Sequence, residues 1–186
     1  MIYLRTAELA DVETIFEWRY ETARWLASAY GSDQWSTSYP RERLEHWVAQ
    51  QCTLMGALEP GGAPVATITV SPQGDPSLWT PEELAVPAWY LFKANSMIRG
   101  QQIGRLLFEW VRHRAVDAVD VLRLDVWSTN QRLQDYYRTR LEARYLRTVP
   151  GTTSGALFEL DVHPVPDVTE QVCAEGITGW LAPDQP

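Results

Sequence analysis

Residues 88–114, AWYLFKANSMIRGQQIGRLLFEWVRHR, constrain the fold more than any other stretch of the chain. An apolar run, Ala88 to Ala94, has the character of a strand. It passes through a turn holding Gly100 into positions Ile103, Leu106, Leu107, Trp110 and Val111, which recur at helical spacing. A strand leading into an amphipathic helix commits the chain to a sheet with that helix laid on one face, because the apolar stripe must be covered. The turn also poses a question of function. The first N–H groups of a helix lack intrahelical acceptors and carry partial positive charge, which suits an anion. Gly100 and Gly104 remove Cβ atoms where a phosphate would approach, and Arg99 adds a fixed cation. A turn glycine with close helix packing explains the same letters. Two other phosphate motifs are excluded: Arg105-Leu106 stands where GxxxxGK[ST] needs Lys-Ser/Thr, and GxGxxG needs a third glycine.

The remaining elements follow from periodicity and turn residues. Ile2–Arg5 alternates as a strand, and Val12, Ile15, Phe16, Ala23, Leu26 and Ala27 mark a helix that Arg19 interrupts. Thr6 and Asp11 are both candidate caps for it. A second short helix, 39–51, precedes a hairpin whose strands TLMGALE and PVATITV flank PGGA. A loop rich in Pro and Gly leads to the strand at Ala88. Beyond the central helix come the strand VLRLDVW, the helix TNQRLQDYYRTRLE and two closing strands, ARYLRTV and ALFELDV. The expectation is α/β (α+β): a single mixed, mostly antiparallel sheet of about seven strands with about four helices. The domain is expected to span 1–163. Residues 164–186, without a sustained period, form a C-terminal extension whose Trp180 and Leu181 are candidates to dock on the body or on a neighbouring subunit, so a homodimer is admitted.

With 186 residues and 45% hydrophobic composition, the chain can build one substantial core. Its net charge of -8 argues against general nucleic-acid binding and suits cationic ligands such as amines, although most acidic proteins are simply soluble. Cys52 and Cys173 lie far apart, as free thiols do in a reducing compartment. No apolar run of signal-peptide or membrane-span character is present, so a cytoplasmic protein is expected. His46, His113 and His163 lack metal-ligand spacing, and no metal is expected.

Set beside RGQQIG, the stretch LRLDVWSTNQRLQDYYRT completes an order of strand, glycine-turn helix, strand, Asn, and Tyr seven residues later. That order resembles the GNAT superfamily of acyl-CoA-dependent N-acetyltransferases. Arg99, Gly100 and Gly104 match the Arg-Gly-x-Gly-x-Gly/Ala signature at its first, second and last positions, with Gln102 where a glycine is usual. GSDQW looks like a bacterial subgroup in which Asp-Gln-Trp follows the first helical region. The resemblance implies acetyl-CoA as donor and direct attack by an amine of a small molecule or protein in a ternary complex. It assigns pantetheine and thioester contacts to the backbone of Phe92, Lys93 and Ala94. Diphosphate contacts fall on Arg99, Gly100, Gln101, Gln102, Ile103, Gly104 and Arg105, and Asn130 and Tyr137 stand at the family's Asn and Tyr.

Seven residues make nearly two helical turns, so Asn130 and Tyr137 project from one face. Tyr137 is the candidate acid for the departing thiolate, and Asn130 a hydrogen-bonding group on the cofactor side. A helix-start Asn and a half-buried Tyr are the plain alternative. If Leu124 and Val126 face the core, Arg123, Asp125 and Trp127 share the other face, which makes Asp125 a candidate base or an ion-pair partner. Glu159 and Asp161 are no better marked. By resemblance, the acceptor side is built from GSDQW and DPSLWTPEE: Asp33, Trp35, Asp75, Trp79, Glu82 and Glu83, with Trp127 beside them. Their carboxylates and aromatic faces suit an ammonium. Two competing functions remain, an acyl-CoA-binding module without turnover and an interaction protein using a tryptophan-rich surface.

Overall fold

The structure, a computed structural model, describes residues 1–174, 177, 180 and 181. Its elements are β1 (Ile2–Thr6), α1 (Asp11–Tyr30), α2 (Arg41–Ala49), β2 (Thr53–Ala57), β3 (Pro64–Ser71), α3 (Pro81–Leu84), β4 (Ala88–Ser96), α4 (Ile103–Arg114), β5 (Val121–Val126), α5 (Gln131–Arg140), β6 (Arg144–Thr148), β7 (Ala156–Asp161) and β8 (Val172–Cys173). The strands form one sheet in the order β6-β7-β5-β4-β3-β2-β1-β8. Among the described residues, only β4–β5 and β1–β8 pair in parallel. The single mixed sheet is the one the sequence predicts, with one more strand and one more short helix. α3 escapes the periodicity because it is a single turn, held by a capping box in which Thr80 and Glu83 bond each other's backbone N–H.

Alternation divides the side chains of the sheet between two faces. On one, Leu54, Ile68, Val70, Leu91, Leu122, Leu124 and Phe158 meet the α4 stripe of Ile103, Leu107, Trp110 and Val111, and α5 adds Leu133 and Tyr137. On the other, α1 and α2 pack Val12, Ile15, Phe16, Leu44 and Val48 against Met55. Neither cap foreseen for α1 is made: Ala10 occupies the N-cap without a side-chain bond. Asp11 instead accepts from the Glu8 N–H and from Arg5, whose guanidinium holds its carboxyl below the usual carboxylate range. Gly31 ends α1 at φ +62°, where a Cβ is disfavoured.

The sheet does not stop at His163. A short 3-10 helix, Pro166–Glu170, buries Val168, and β8 extends the sheet beside β1. Trp180 packs with ring centroids 5.9 Å from Trp89 and 5.4 Å from Trp110, and its Nε1–H donates to the Gln51 carbonyl at 2.8 Å. The segment after His163 thus packs on the body, one of the two placements its Trp180 and Leu181 allowed. The closing segment hides its apolar positions from a periodicity search because a 3-10 turn, a two-residue strand and irregular chain share no period. Trp180→Ala is expected to cost about 3–5 kcal/mol, as large aromatic truncations in cores do. At roughly 2–4 °C per kcal/mol for a chain of this size, Tm falls by roughly 10 °C. A thermal melt shifted by under ~2 °C would show that the segment does not stabilise the core.

Candidate functional site

The site begins where two neighbouring strands part. β4 and β5 pair from Ala88↔Val121 to Leu91↔Leu124 and no further. Past that point β5 stays with β7 as far as Val126↔Ala156, while β4 stays with β3 as far as Ser96↔Ala66. A register shift in β4, with Lys93 at φ +55°, accompanies the separation. A non-glycine residue in that region costs on the order of 1 kcal/mol and marks a place to look for function. Phe92, Lys93 and Ala94 thus present main chain unpaired toward β5. A cleft of about 970 Å³ runs through the gap and is lined from both faces of the sheet. Phe108, Leu133 and Tyr137 line it from the α4–α5 side; Phe16, Tyr39 and Trp47 line it from the α1–α2 side.

At the α4 end, Gly100 has φ +80°, and Gln102, the N-cap of α4, is left-handed at φ 55°, ψ 23°. Left-handed residues in such a turn gather successive N–H groups into an anion-binding concavity. From Arg99 to Arg105 no backbone N–H finds an acceptor among the described residues; the first paired amide is Leu106, bonded to the Gln102 carbonyl. A Cβ on Gly104 would meet nothing within 4 Å. These open amides and bare glycines fit a diphosphate. The Gln102 side chain is exposed and reaches back to Arg105 at 3.5 Å. Arg99 lines the cleft and lies over the Trp25 ring at 3.5 Å. Arg105 is paired with Glu109 at 2.6 Å, so its cation is already matched. The main chain carries the anion site more than the two arginines do.

Asp125, Lys93 and Tyr137 meet at the gap. Burial pushes the Asp125 carboxyl well up from the ordinary carboxylate range, opposed chiefly by the charge of Lys93. Burial drives the Lys93 ammonium down, opposed by Asp125 and reinforced by Arg43 and Arg19. Neither group makes a salt bridge among the described residues. Arg123, the feared partner of Asp125, instead pairs with Glu159 at 3.0 Å, packs over Trp79 and Tyr90, and donates to the Glu83 carbonyl. That removes Glu159 from the site as well, and Asp161 is exposed outside the cleft. The Tyr137 ring sits 5.5 Å from Phe108 and 6.3 Å from Phe158, and its hydroxyl bonds no described residue. Burial, then Tyr136 and Asp125, raise its pKa above the ordinary phenol value.

The predicted acceptor residues divide. Trp35 and Trp127 line the cleft, and Trp79 is buried in its wall, stacked edgewise on Tyr90 at 5.6 Å. Asp75 also lines it, bound to Ser77 and Arg43. Asp33 does not: its Oδ1 accepts from Trp127 Nε1 at 2.9 Å and from Thr129 Oγ1, tying the α1–α2 loop to the end of β5. Glu83 is taken by Arg147 in a bidentate pair, and Glu82 is exposed. Asn130 lines the cleft as well, where it caps α5 by accepting from the Leu133 N–H and donates to Gln34 at 2.6 Å. The sequence reading missed Arg19, Tyr39, Trp47 and the side chain of Lys93. The lone charge in the apolar stripe of α1 was the available signal for Arg19. Among the described residues, no group of three His, Cys, Asp or Glu side chains is placed to hold a metal, and no helix is long and apolar enough to cross a membrane.

The chain matches the model of the acetyltransferase (GNAT) family over residues 13–141. Its fold is similar to that of a GNAT-family acetyltransferase from Listeria monocytogenes, at 20% identity and a TM-score of 0.70, covering 86% of this chain and 94% of that one. A GNAT-family acetyltransferase from Streptococcus agalactiae matches at 17% identity and 0.65, covering 87% and 96%. The Salmonella typhimurium protein yncA, solved with its cofactor acetyl-CoA, matches at 16% identity and 0.57, covering 89% and 96%. No curated protein matches the chain.

Proposed function

Because the chain belongs to the GNAT family of acetyltransferases, we propose that it transfers an acetyl group from acetyl-CoA to a primary amine by direct attack within a ternary complex. One observation carries this reading: the parting of β4 and β5 opens a cleft that holds a buried carboxylate, Asp125, and reaches Arg99, where the run of open amides begins. Acetyl-CoA, when bound, supplies an activated thioester and a thiol leaving group. The amides at the start of α4 would hold its diphosphate, and the free edge of Phe92–Ala94 would hold its extended arm. Asp125 takes a proton from the incoming ammonium. N–H groups on the β4 edge oppose charge that develops on the carbonyl oxygen. Every tryptophan is buried or half-buried, which leaves no tryptophan-rich surface for the interaction-protein alternative.

Tyr137 supports the departing sulfur as a hydrogen-bond donor. A free thiol titrates near ~8.5, and burial lifts this phenol above its ordinary value, so complete transfer of its proton to a thiolate is uphill. Tyr137→Phe should therefore lower kcat by only about tenfold, below the ~10²–10⁴-fold of full general-acid catalysis, with acetyl-CoA affinity unchanged. Loss of binding and turnover together would remove the leaving-group role. The whole proposal is tested by thermal shift and thiol release. CoA and acetyl-CoA should raise Tm where ATP does not, and amines should release thiol from acetyl-CoA. Stabilisation without thiol release from any amine would leave a binding module.

A further inference from the structure

Two cations on the α1–α2 side of the cleft, Arg19 and Lys93, make no salt bridge among the described residues, and Asp125 acts on Lys93 only through the field of its charge. Arg19 donates from its two terminal nitrogens to the carbonyls of Trp35 and Thr37, at 3.1 and 2.8 Å, and meets no carboxylate within salt-bridge distance among the described residues. Its guanidinium carbon lies 5.9 Å from the Tyr39 ring. Lys93 Nζ sits 4.2 Å from the same ring and 4.2 Å from Phe92. Arg43, the third cation nearby, is already matched by Asp75. Two buried polar atoms lie in the same corner: Tyr39 Oη and Trp47 Nε1 are close enough for Trp47 to lower the Tyr39 pKa slightly against burial, but neither makes a hydrogen bond of good geometry among the described residues. Buried donors are nearly always satisfied by well-aligned acceptors, so these two groups, beside two cations outside any salt bridge, need an explanation. An acceptor-lined ligand supplies one.

We propose that the acceptor carries a carboxylate close to its amine, which Arg19, Lys93, Tyr39 and Trp47 receive while Asp125 faces the nitrogen. This rests on the acyl-transfer reading and narrows its substrate class to amino carboxylates. A carboxylate offers about four lone-pair sites, enough for several converging donors, whereas a plain alkylamine satisfies none of them. The electrostatic field of Asp125 reaches both Lys93 and Tyr39, so base and anion site are neighbours, which suits the short amine–carboxylate separation of an α- or β-amino acid. Burial keeps the Tyr39 hydroxyl protonated, with its pKa pushed up to about 12, so it stays a donor. Phe16, Trp35 and Phe92 give the rest of the pocket apolar walls, which suits an apolar or aromatic side chain. Of the acidic loop expected to greet an ammonium, Asp75 and Glu83 are engaged in internal pairs and Glu82 is exposed outside the cleft.

Matched acceptors test this: leucine and phenylalanine against leucinamide and phenylalaninamide, with acetyl-CoA and detection of released thiol. The acids should exceed the amides in kcat/KM by at least ~10-fold, a loss typical of leaving buried charged donors unpaired. Tyr39→Phe, which keeps the ring, should shrink that ratio severalfold. Arg19→Gln should shrink it further, and its effect on the 35–37 loop is checked by the melting temperature. Calorimetry on the CoA-saturated protein with the same acids and amides separates the two levels of inference. Acid binding without turnover upholds the carboxylate site and removes acyl transfer. Turnover of amides as good as that of acids overturns the carboxylate site and leaves acyl transfer standing. Failure of the acids to bind or react overturns the site whatever the amides do.

Discussion

Asp125→Asn should reduce turnover of an amine acceptor by about 10²–10⁴-fold, the range general-base removal commonly spans, with CoA affinity within a factor of a few of the parent. The carboxamide keeps the shape but cannot accept a proton. Burial raises the Asp125 pKa, with the Lys93 charge opposing. A base works only when deprotonated, so kcat/KM should climb with pH along a limb placed well above the usual carboxylate range, and the variant should lack that limb. Stability moves the other way. A carboxyl whose folded pKa is raised stabilises the fold below its unfolded pKa, and that contribution is lost as pH rises through the folded value. At neutral pH the Asn variant removes that buried charge but also takes from Lys93 the charge that opposes its burial, so the two effects offset and Tm should stay close to that of the parent. Equal turnover in the variant, or an unchanged pH limb, would assign the base elsewhere. Loss of Tm along with activity would make Asp125 a structural residue.

The sheet, its helices and the α4 turn were legible because each rests on local periodicity, as in the alternation of β1 or the stripe of α4. The closing segment was not, since Val168, Val172 and Trp180 are buried by three different local conformations. The site was half legible. Gly100 announces a left-handed turn and Gly104 an open approach to the helix start, and the strand alternation that sends Leu124 and Val126 inward also sends Asp125 the other way. What no local pattern encodes is the parting of β4 from β5, which depends on which strands each keeps as partners. That event turns Lys93 from a strand residue with backbone contacts into a charged group beside Asp125. Asp33 failed as an acceptor residue for a related reason: Trp127 and Thr129 are distant in sequence, and only the folded chain shows that they claim its carboxylate.

Gly104→Val should weaken CoA binding by about 10–100-fold without unfolding the protein. Valine has a higher helix propensity than glycine, by a few tenths of a kcal/mol, and a Cβ at this position meets no neighbour within 4 Å. The fold thus has no reason to object, and Tm without ligand should hold or rise slightly. Gly104 is itself among the residues whose N–H groups are unpaired, so a side chain there crowds whatever those amides hold. A hydrogen bond to a charged group contributes about 1.5–3 kcal/mol, so displacing a phosphate from one or two of these N–H groups accounts for the loss, at 1.4 kcal/mol per tenfold. Gly104→Ala, with a single methyl, should fall between parent and valine variant. Calorimetry with CoA and with dephospho-CoA, which keeps the diphosphate, should show the same fractional loss for both ligands. An undiminished affinity in Gly104→Val would place the diphosphate away from this turn, and the cleft between β4 and β5 would then need another means of holding its donor.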